Sequence, residues 1–324
     1  MTDICDLCQT SDPVIVSDPN PLQGRIALCR RCGLFFASPR LEAEALERFY
    51  GNEFTGDAGA NALAREDGTP STKKVRSEER RVKRWSLPLI QRHATLAGKD
   101  ILDLRMRSGA LAAAMTAAGG RVTAIDPFTA NVQYARERRK LSLARQLPMT
   151  EIHRLEGFGK ESFDIVTAMT IHLLAHLQSP GEFLQRTLQV LRPGGWLFLM
   201  EKDVLRPNYN VARPTPFSSG TAHQYHLTRD TMALYLRAAG FELIQCRIDP
   251  HYATGQNRVI TAIARKPERK DIQVPADLFK DGPPPQDYLK RVQRIQHRWR
   301  MYALAGRARK RWWKFREKWL PTHS

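Results

Sequence analysis

The middle of the chain alternates short apolar runs with amphipathic segments, and this alternation restricts the fold more than any other feature of the sequence. Apolar runs with the length of buried strands are Asp100–Leu104, Arg121–Ile125 and Phe163–Thr170, and helical spacing marks Ala110–Ala118 and Asn131–Arg145. Strands that alternate with helices in this way form parallel sheets. We therefore predict an α/β fold with a doubly wound, Rossmann-like and mostly parallel sheet.

The alternation continues towards residue 265. We predict a helix over Pro180–Leu191, a turn over Arg192–Trp196, a strand over Leu197–Met200, a helix over Thr228–Ala239, and strands over Phe241–Arg247 and Val259–Ala264. Upstream, Leu41–Tyr50 has the pattern of a short amphipathic helix, and residues 73–97 are basic and helical in character. Pro88 is predicted to interrupt that second helix, because proline lacks the backbone N–H.

These patterns divide the chain into five segments. They are a cysteine-bearing segment over 1–40, a helical and loop connector over 41–97, the alternating core over 98–265, a proline-containing linker over 266–287 and a basic helical tail over 288–324. The sequence has no apolar stretch of bilayer-spanning length, and its N-terminus lacks the pattern of a secretory signal. We therefore expect a cytoplasmic protein.

Four of the five cysteines form two tight pairs, Cys5-x2-Cys8 and Cys29-x2-Cys32. Two such pairs at this spacing are typical of a zinc ribbon, in which four thiolates enclose Zn²⁺ and leave no open position for a substrate. We predict structural zinc, and the alternative is a set of buried reduced cysteines. Cys246 stands alone in an apolar strand and is predicted to be a small core residue.

In a doubly wound sheet, ligands bind beyond the carboxyl ends of the strands, where a glycine-rich loop lets the backbone approach them. Asp126 ends the second predicted strand, where an acidic residue can hold a ribose diol. The alternative is a solvated turn aspartate before Pro127. The spacing alone leaves both interpretations open.

Several motifs in combination resemble the class I S-adenosylmethionine (SAM) methyltransferases of the branch that carries an N-terminal zinc ribbon. The matching segments are Cys29–Pro39 (CRRCGLFFASP), Leu41–Tyr50, Ala124–Phe128, Phe163–Val166, His172–Pro180, Leu191–Gly195 and His223–Phe241. The resemblance covers roughly residues 1–265. It implies SAM as cofactor and a sugar or glycolipid hydroxyl as the methyl acceptor.

The resemblance also implies site residues. The cofactor would contact Asp103, Leu104, Arg105, Arg107, Gly109, Asp126, Pro127, Phe128 and Thr170. A hydroxyl acceptor needs a base with a pKa near neutrality, which suits histidine. The family places His172, His176 and His223 at the mouth of the sheet, and His172 and His223 are the candidate bases; the alternative for each is a structural histidine. His226 is predicted to lie at the surface.

Two positions depart from the family pattern. The family's cofactor loop reads D-x-G-x-G-x-G, whereas Asp103–Gly109 reads DLRMRSG, so Arg105 and Arg107 replace two glycines. In addition, Ala175 stands where the family has an acidic residue. Either the arginines point to solvent on a loop of another shape, or they recruit a phosphate or carboxylate in place of SAM.

The last 37 residues, 288–324, carry 12 Lys/Arg and one Glu within a chain of net charge +18. Apolar side chains recur there at helical spacing from Val292 onwards. A basic amphipathic helix with tryptophans can lie on an anionic membrane, bind RNA, or dock on the protein itself. We expect membrane contact, and a peripheral enzyme that methylates a sugar or lipid-linked glycan hydroxyl at the cytoplasmic membrane face. The alternatives are a catalytically inactive scaffold recruited by the tail and an RNA methyltransferase.

Overall fold

The computed structural model describes residues 4–16, 24–48, 71–170, 173–205, 223–250, 258–268, 274–275, 277–279, 287–294, 297 and 301. The strands in chain order are β1 (Pro13–Ile15), β2 (Arg25–Cys29), β3 (Phe35–Ser38), β4 (Asp100–Leu104), β5 (Arg121–Asp126), β6 (Ala144–Gln146), β7 (Phe163–Ala168), β8 (Leu191–Lys202), β9 (Tyr225–His226), β10 (Glu242–Pro250) and β11 (Arg258–Arg265). The α-helices are α1 (Ala43–Arg48), α2 (Thr72–Arg81), α3 (Leu87–Gln91), α4 (Ala110–Ala117), α5 (Thr129–Arg139), α6 (Met149–Arg154), α7 (Pro180–Val190) and α8 (Arg229–Ala238).

A seven-stranded sheet forms the centre of the molecule, with strand order β10-β11-β8-β7-β4-β5-β6. The strands from β4 to β8 pair in parallel, and β11 runs antiparallel to both of its neighbours. One face packs against α3, α4 and α5, and the other packs against α6, α7 and α8. The predicted α/β fold with a doubly wound, mostly parallel sheet is confirmed.

Two boundaries in the sheet region were predicted wrongly. The helix expected over Asn131–Arg145 ends at Arg139, because Lys140 takes a left-handed φ of +58°, and the chain then enters the short edge strand β6. The turn expected over Arg192–Trp196 is part of β8, whose pairing with β7 shifts register between Phe163 and Ile165. That irregularity lets the Pro-Gly-Gly sequence stay in the strand.

The basic stretch before the sheet is helical from Thr72 to Gln91. Between α2 and α3 it widens into a π-helical segment, Val82–Ser86, in which the Leu87 N–H donates to the Val82 carbonyl. Pro88 lies in the first turn of α3, directly after this segment, and it has no N–H to donate to the carbonyl of Arg84, four residues earlier. The regular α-helix is therefore interrupted just before Pro88, as predicted, although the chain stays helical through the proline.

The N-terminal strands form a second sheet, with order β1-β2-β3-β9. Its last strand comes from residues that follow β8, and Phe35 of β3 pairs with His226 of β9. The cysteine-bearing segment and the alternating core are therefore joined by backbone hydrogen bonds. Within the described part of the chain, no helix is both long and apolar enough to cross a membrane.

Candidate active site and metal centre

The four paired cysteines meet at one point. Their Sγ atoms all lie within 4.8 Å of one another, with 3.4 Å between Cys5 and Cys32 and 3.4 Å between Cys8 and Cys29. All four side chains are buried. Four converging thiols fit the tetrahedral sulfur coordination that zinc prefers, and a closed set of four ligands indicates a structural ion. The sequence spacing was sufficient to find this centre.

The loop after β4 keeps a left-handed backbone at the three positions where the resembled family has glycine. The φ angles are +58° at Arg105, +55° at Arg107 and +69° at Gly109. An L-residue with a side chain pays about 1–2 kcal/mol for this conformation. The surrounding contacts must therefore enforce a backbone that the sequence itself disfavours.

Hydrogen bonds from the neighbouring strands hold this loop in place. The Thr170 hydroxyl, just beyond β7, donates to the Arg105 carbonyl over 3.1 Å. The Met106 N–H donates to the Ile125 carbonyl over 3.0 Å, and the Arg107 N–H donates to Oδ2 of Asp126 over 2.8 Å. The loop is thus bonded to the carboxyl ends of β5 and β7.

The side chain of Arg105 does not point to solvent, because only 4% of the residue is exposed. For this arginine the solvent-facing interpretation is wrong. Arg107 is partly buried, and Lys74 of α2 lies close enough for the two charges to repel, which together with burial lowers the pKa of Lys74. Two arginines and a lysine therefore lie at this edge of the sheet.

Asp126 is fully buried and accepts three hydrogen bonds. Besides the Arg107 N–H, its carboxylate accepts from the Phe128 N–H over 3.0 Å and from Nδ2 of Asn131 over 2.9 Å. Burial raises its pKa, and the hydrogen bonds oppose that rise. The alternative of a solvated turn aspartate is wrong. Pro127 and Phe128, which follow it, are partly buried.

Asp103 lies at the centre of the candidate cofactor site. Its Oδ1 accepts from the Thr167 hydroxyl over 2.7 Å, and its Oδ2 has no hydrogen-bond partner among the described residues. Burial raises the pKa of Asp103 to about 7, and the negative charge of Glu78 adds to the rise. An unpaired buried carboxylate oxygen is the group expected to receive a ligand cation or N–H donor.

Glu78 of α2 was not identified from the sequence. Its Oε2 accepts from the Ser108 N–H over 3.3 Å, and its Oε1 lies 3.5 Å from a guanidinium nitrogen of Arg81. Glu78 therefore connects α2 to the cofactor loop. A signal was present, because this carboxylate shares the buried helical face with Val75 and Val82 at i−3 and i+4.

Three histidines form a buried cluster on the other side of the sheet's carboxyl edge. The ring centroids of His176 and His223 are 4.5 Å apart, and those of His223 and His226 are 5.9 Å apart. His226 was predicted at the surface, and this is wrong because it is 7% exposed. It is covered because β9 pairs with the N-terminal sheet. The other candidate base, His172, lies outside the described residues.

The surroundings keep two of these imidazoles neutral. Burial lowers the pKa of His176 well below its ordinary value, and the charge of Arg105 acts in the same direction. Burial also lowers the pKa of His226 to about 3, with a contribution from Lys202 at the end of β8. The same shifts mean that these two imidazoles bind a proton weakly, so neither has the near-neutral pKa that suits a general base.

The turn that carries His176 is held by a carboxylate from β8. Oε1 of Glu201 accepts from the Leu174 N–H over 2.6 Å, and the Ala175 carbonyl accepts from the Gln224 N–H over 2.8 Å. Glu201 was not identified from the sequence, since its partner is a backbone group 27 positions away. The turn is thus held on both sides of the position where the resembled family has an acidic residue.

Residues 76–246, more than half of the chain, match the family described as Methyltransferase domain. Proteins named ubiquinone biosynthesis O-methyltransferase are among the similar sequences. The one from Nitrosospira multiformis is 32% identical over 117 residues, 35% of this chain and 46% of the relative. The one from Methylocella silvestris is 38% identical over 104 residues, 32% of this chain and 40% of the relative. The matched region spans less than half the length of these relatives.

Among solved structures, a 1,6-didemethyltoxoflavin-N1-methyltransferase from Burkholderia thailandensis, with bound S-adenosylhomocysteine, is 20% identical, with a TM-score of 0.48. The match covers 78% of this chain and all of that one. A SAM-dependent methyltransferase from Aquifex aeolicus is 17% identical, with a TM-score of 0.44, and the match covers 60% of this chain and 95% of that one.

Proposed function

The chain belongs to the methyltransferase domain family, and from that premise we propose that it transfers a methyl group from SAM to a hydroxyl group of a small-molecule acceptor. The observation that carries this proposal is the left-handed backbone at Arg105, Arg107 and Gly109. The neighbouring strands hold both arginines in the left-handed conformation that glycine favours, so the loop keeps the backbone shape of a glycine-rich cofactor loop. The conformation therefore supports a working cofactor loop.

The polar groups at the edge of the sheet fit the cofactor. The unpaired Oδ2 of Asp103 supplies an acceptor for the ammonium group of SAM. Asp126 uses three of the roughly four acceptor positions of a carboxylate, so one remains for a ribose hydroxyl. We assign SAM contacts to Asp103, Leu104, Arg105, Arg107, Gly109, Asp126, Pro127, Phe128 and Thr170. The bound cofactor would supply an electrophilic methyl group.

The histidine cluster supplies the candidate base. His223 contacts His176, which burial keeps neutral and makes a weak base, so we assign to His223 the role of taking the hydroxyl proton as the acceptor oxygen attacks the methyl group. His223 is our first candidate and His172 the second. The rest of the catalytic contribution is positioning, because methyl transfer is a direct displacement that depends on alignment of the two reactants.

Two classes of hydroxyl group are candidates for the methyl acceptor. The motif resemblance favours a sugar or lipid-linked glycan hydroxyl, whereas the relatives named for ubiquinone biosynthesis favour a phenolic hydroxyl. Both acceptors lose a hydroxyl proton, so the same base serves either. We propose that the basic tail, residues 288–324, brings the enzyme to an anionic membrane at the cytoplasmic face, which suits a lipid-linked acceptor of either kind.

Methyl transfer to a panel of sugar, glycolipid and phenolic acceptors, followed with isotopically labelled SAM, tests this function. We expect turnover with one hydroxyl class and loss of at least about a hundredfold in turnover for His223→Ala, with SAM affinity retained. His223→Gln and His93→Ala are matched controls, because His93 lies at the opposite end of the sheet. Equal turnover in His223→Ala would refute the assignment of the base.

A catalytically inactive scaffold is the second candidate, and the burial of Arg105 favours it. If this side chain occupies the position of the methionine moiety, SAM does not bind the wild-type protein but binds Arg105→Gly. Calorimetric titration of both proteins separates the two functions. Binding by the wild type supports the enzyme, and binding by the variant alone supports the scaffold.

A further inference from the structure

The beginning of the basic tail lies against the N-terminal sheet. Residues 287–294 are helical, and Tyr288 and Val292 are buried. They belong to an apolar cluster that also contains Ile26, Leu28, Phe35 and Val204. We call this contact the tail anchor. Lys290, Arg291 and Arg294 lie on the exposed side of the same helix.

Tyr288 packs against the residue that follows the second cysteine pair. Its ring lies so close to Gly33, the residue after Cys32, that a Cβ atom at Gly33 would lie 2.3 Å from Cε2 of the tyrosine. Gly33 also has a φ of +75°, which favours glycine. Any larger residue at this position would displace the tyrosine ring.

Two further contacts orient the ring. Tyr288 packs edge-on against Phe35, with ring centroids 6.0 Å apart, and its hydroxyl donates to Oδ2 of Asp230 over 3.2 Å. Asp230 lies in the first turn of α8, on the methyltransferase core. The tail anchor therefore touches both the N-terminal sheet and the core.

The surface that receives Tyr288 is the turn of the cysteine pair itself. The Gly33 N–H donates to the Cys29 carbonyl over 3.1 Å, and the Cys29 N–H donates to the Leu34 carbonyl over 2.9 Å. These bonds close a tight turn around two of the four thiols. Such turns in short segments with little core depend on the bound metal for their shape.

We propose that the zinc centre holds the beginning of the basic tail against the protein. We call this arrangement the latch. With zinc bound, the Cys29–Gly33 turn holds the surface on which Tyr288 rests, and this keeps the beginning of the tail, residues 287–294, in place. Loss of zinc removes that surface and releases the tail. The proposal goes beyond methyl transfer and holds whether or not the protein is catalytically active.

Limited trypsin cleavage of the full-length protein measures the release. Lys290, Arg291 and Arg294 are cleavage sites on the anchored helix, and cleavage there tracks the fraction of molecules in which the helix is open. We expect protection in the zinc-loaded protein and a rise of at least about tenfold in the cleavage rate after chelation. Hydrogen exchange of β4 and β7, followed in parallel, shows that the central sheet stays folded.

Two variants separate the latch from general unfolding. Gly33→Ala keeps all four cysteines, so it is expected to retain zinc and still release the tail. Gly98→Ala is its matched control, because Gly98 has a similar φ of +72° but nothing within 4 Å of an added Cβ. Tyr288→Ala keeps all four cysteines and Gly33, so it is expected to retain zinc and also to release the tail.

Equal protection before and after chelation would overturn the proposal. So would a zinc-loaded Tyr288→Ala protein that is cleaved at the wild-type rate. Equal increases in cleavage for Gly98→Ala and Gly33→Ala would also contradict it. The effect would then come from backbone strain and not from the clash between the added Cβ and the Tyr288 ring.

Discussion

The zinc centre keeps the side chains of the resembled family, whereas the cofactor loop, at two positions, keeps only the backbone conformation. At the zinc centre, the four cysteines and Gly33 all match the resembled family, and the side chains meet as their spacing predicts. At the cofactor loop, two of the three glycines are replaced by arginine, yet the backbone keeps the conformation that glycine favours. A metal site depends on the identity of its side chains. A loop that neighbouring strands hold in place can keep its backbone shape after its glycines are replaced.

Removal of the metal should give the largest effect. Cys32→Ser leaves three thiolates, and structural zinc contributes on the order of 10 kcal/mol of binding free energy to the fold of such segments. We expect loss of bound zinc and of the β1–β3 sheet. Metal analysis and hydrogen exchange measure both.

Cys246→Ser is the control for that experiment, because this half-buried cysteine lies on β10, outside the metal cluster. It should retain zinc. A Cys32→Ser protein with full zinc content and an unchanged N-terminal sheet would contradict the assignment of this residue as a ligand.

Ionisation of Asp103 should give the next largest effect. Its pKa rises from 3.8 to about 7 on folding, so the folded protein binds this proton more tightly than the unfolded chain. The contribution of Asp103 to stability is therefore fully present below pH 4, falls as the pH rises towards 7, and is level above it. The total loss is as much as about 4 kcal/mol.

Asp103→Asn should remove this part of the pH dependence. The variant is expected to be more stable than the wild type at pH 8, with the difference shrinking towards pH 4, as measured by chemical unfolding at several pH values. A constant difference across that range would show that Asp103 is not the group responsible.

Substitutions in the cofactor loop should give a smaller effect, which differs between two positions with a left-handed backbone. Gly109→Ala adds a Cβ that would lie 2.9 Å from Cδ1 of Leu141, at a φ of +69°, and should destabilise by about 1–3 kcal/mol. Arg105→Gly removes the strain of a left-handed arginine, which is about 1–2 kcal/mol, so its net effect should be smaller or stabilising.

Thermal unfolding of Arg105→Gly and Gly109→Ala measures how far the cofactor loop depends on its side chains, as the zinc centre does. If Arg105→Gly and Gly109→Ala were equally destabilising, side-chain contacts of Arg105 would outweigh its backbone strain. The loop would then depend on its arginine as the zinc centre depends on its cysteines.

Most of the sheet follows from local sequence patterns, because buried strands and amphipathic helices leave periodic signals. The boundaries that failed lack such signals. Lys140 ends α5 in a left-handed conformation without the glycine or asparagine that usually marks such an end. β6 has one buried residue in three and is too short for a period.

The convergence of the four cysteines was predictable from the sequence, and the rest of the site was so only in part. His226 is buried because β9 pairs with β3, and these strands are separated by almost 190 positions in the sequence. Glu78 and Glu201 act through backbone N–H groups of distant segments. Contacts of this kind arise from tertiary packing, which local patterns do not encode.

We expect the cofactor loop to bind SAM through its retained backbone shape, although two arginines replace its glycines. Calorimetric titration of the zinc-loaded protein with SAM and S-adenosylhomocysteine tests it most directly, with Asp103→Asn as the comparison. We predict binding of both ligands by the wild type and weaker binding of SAM by the variant, because the acceptor for the ammonium group is then lost. Absence of binding by the wild type, with binding restored in Arg105→Gly, would contradict the claim and show that Arg105 closes the site.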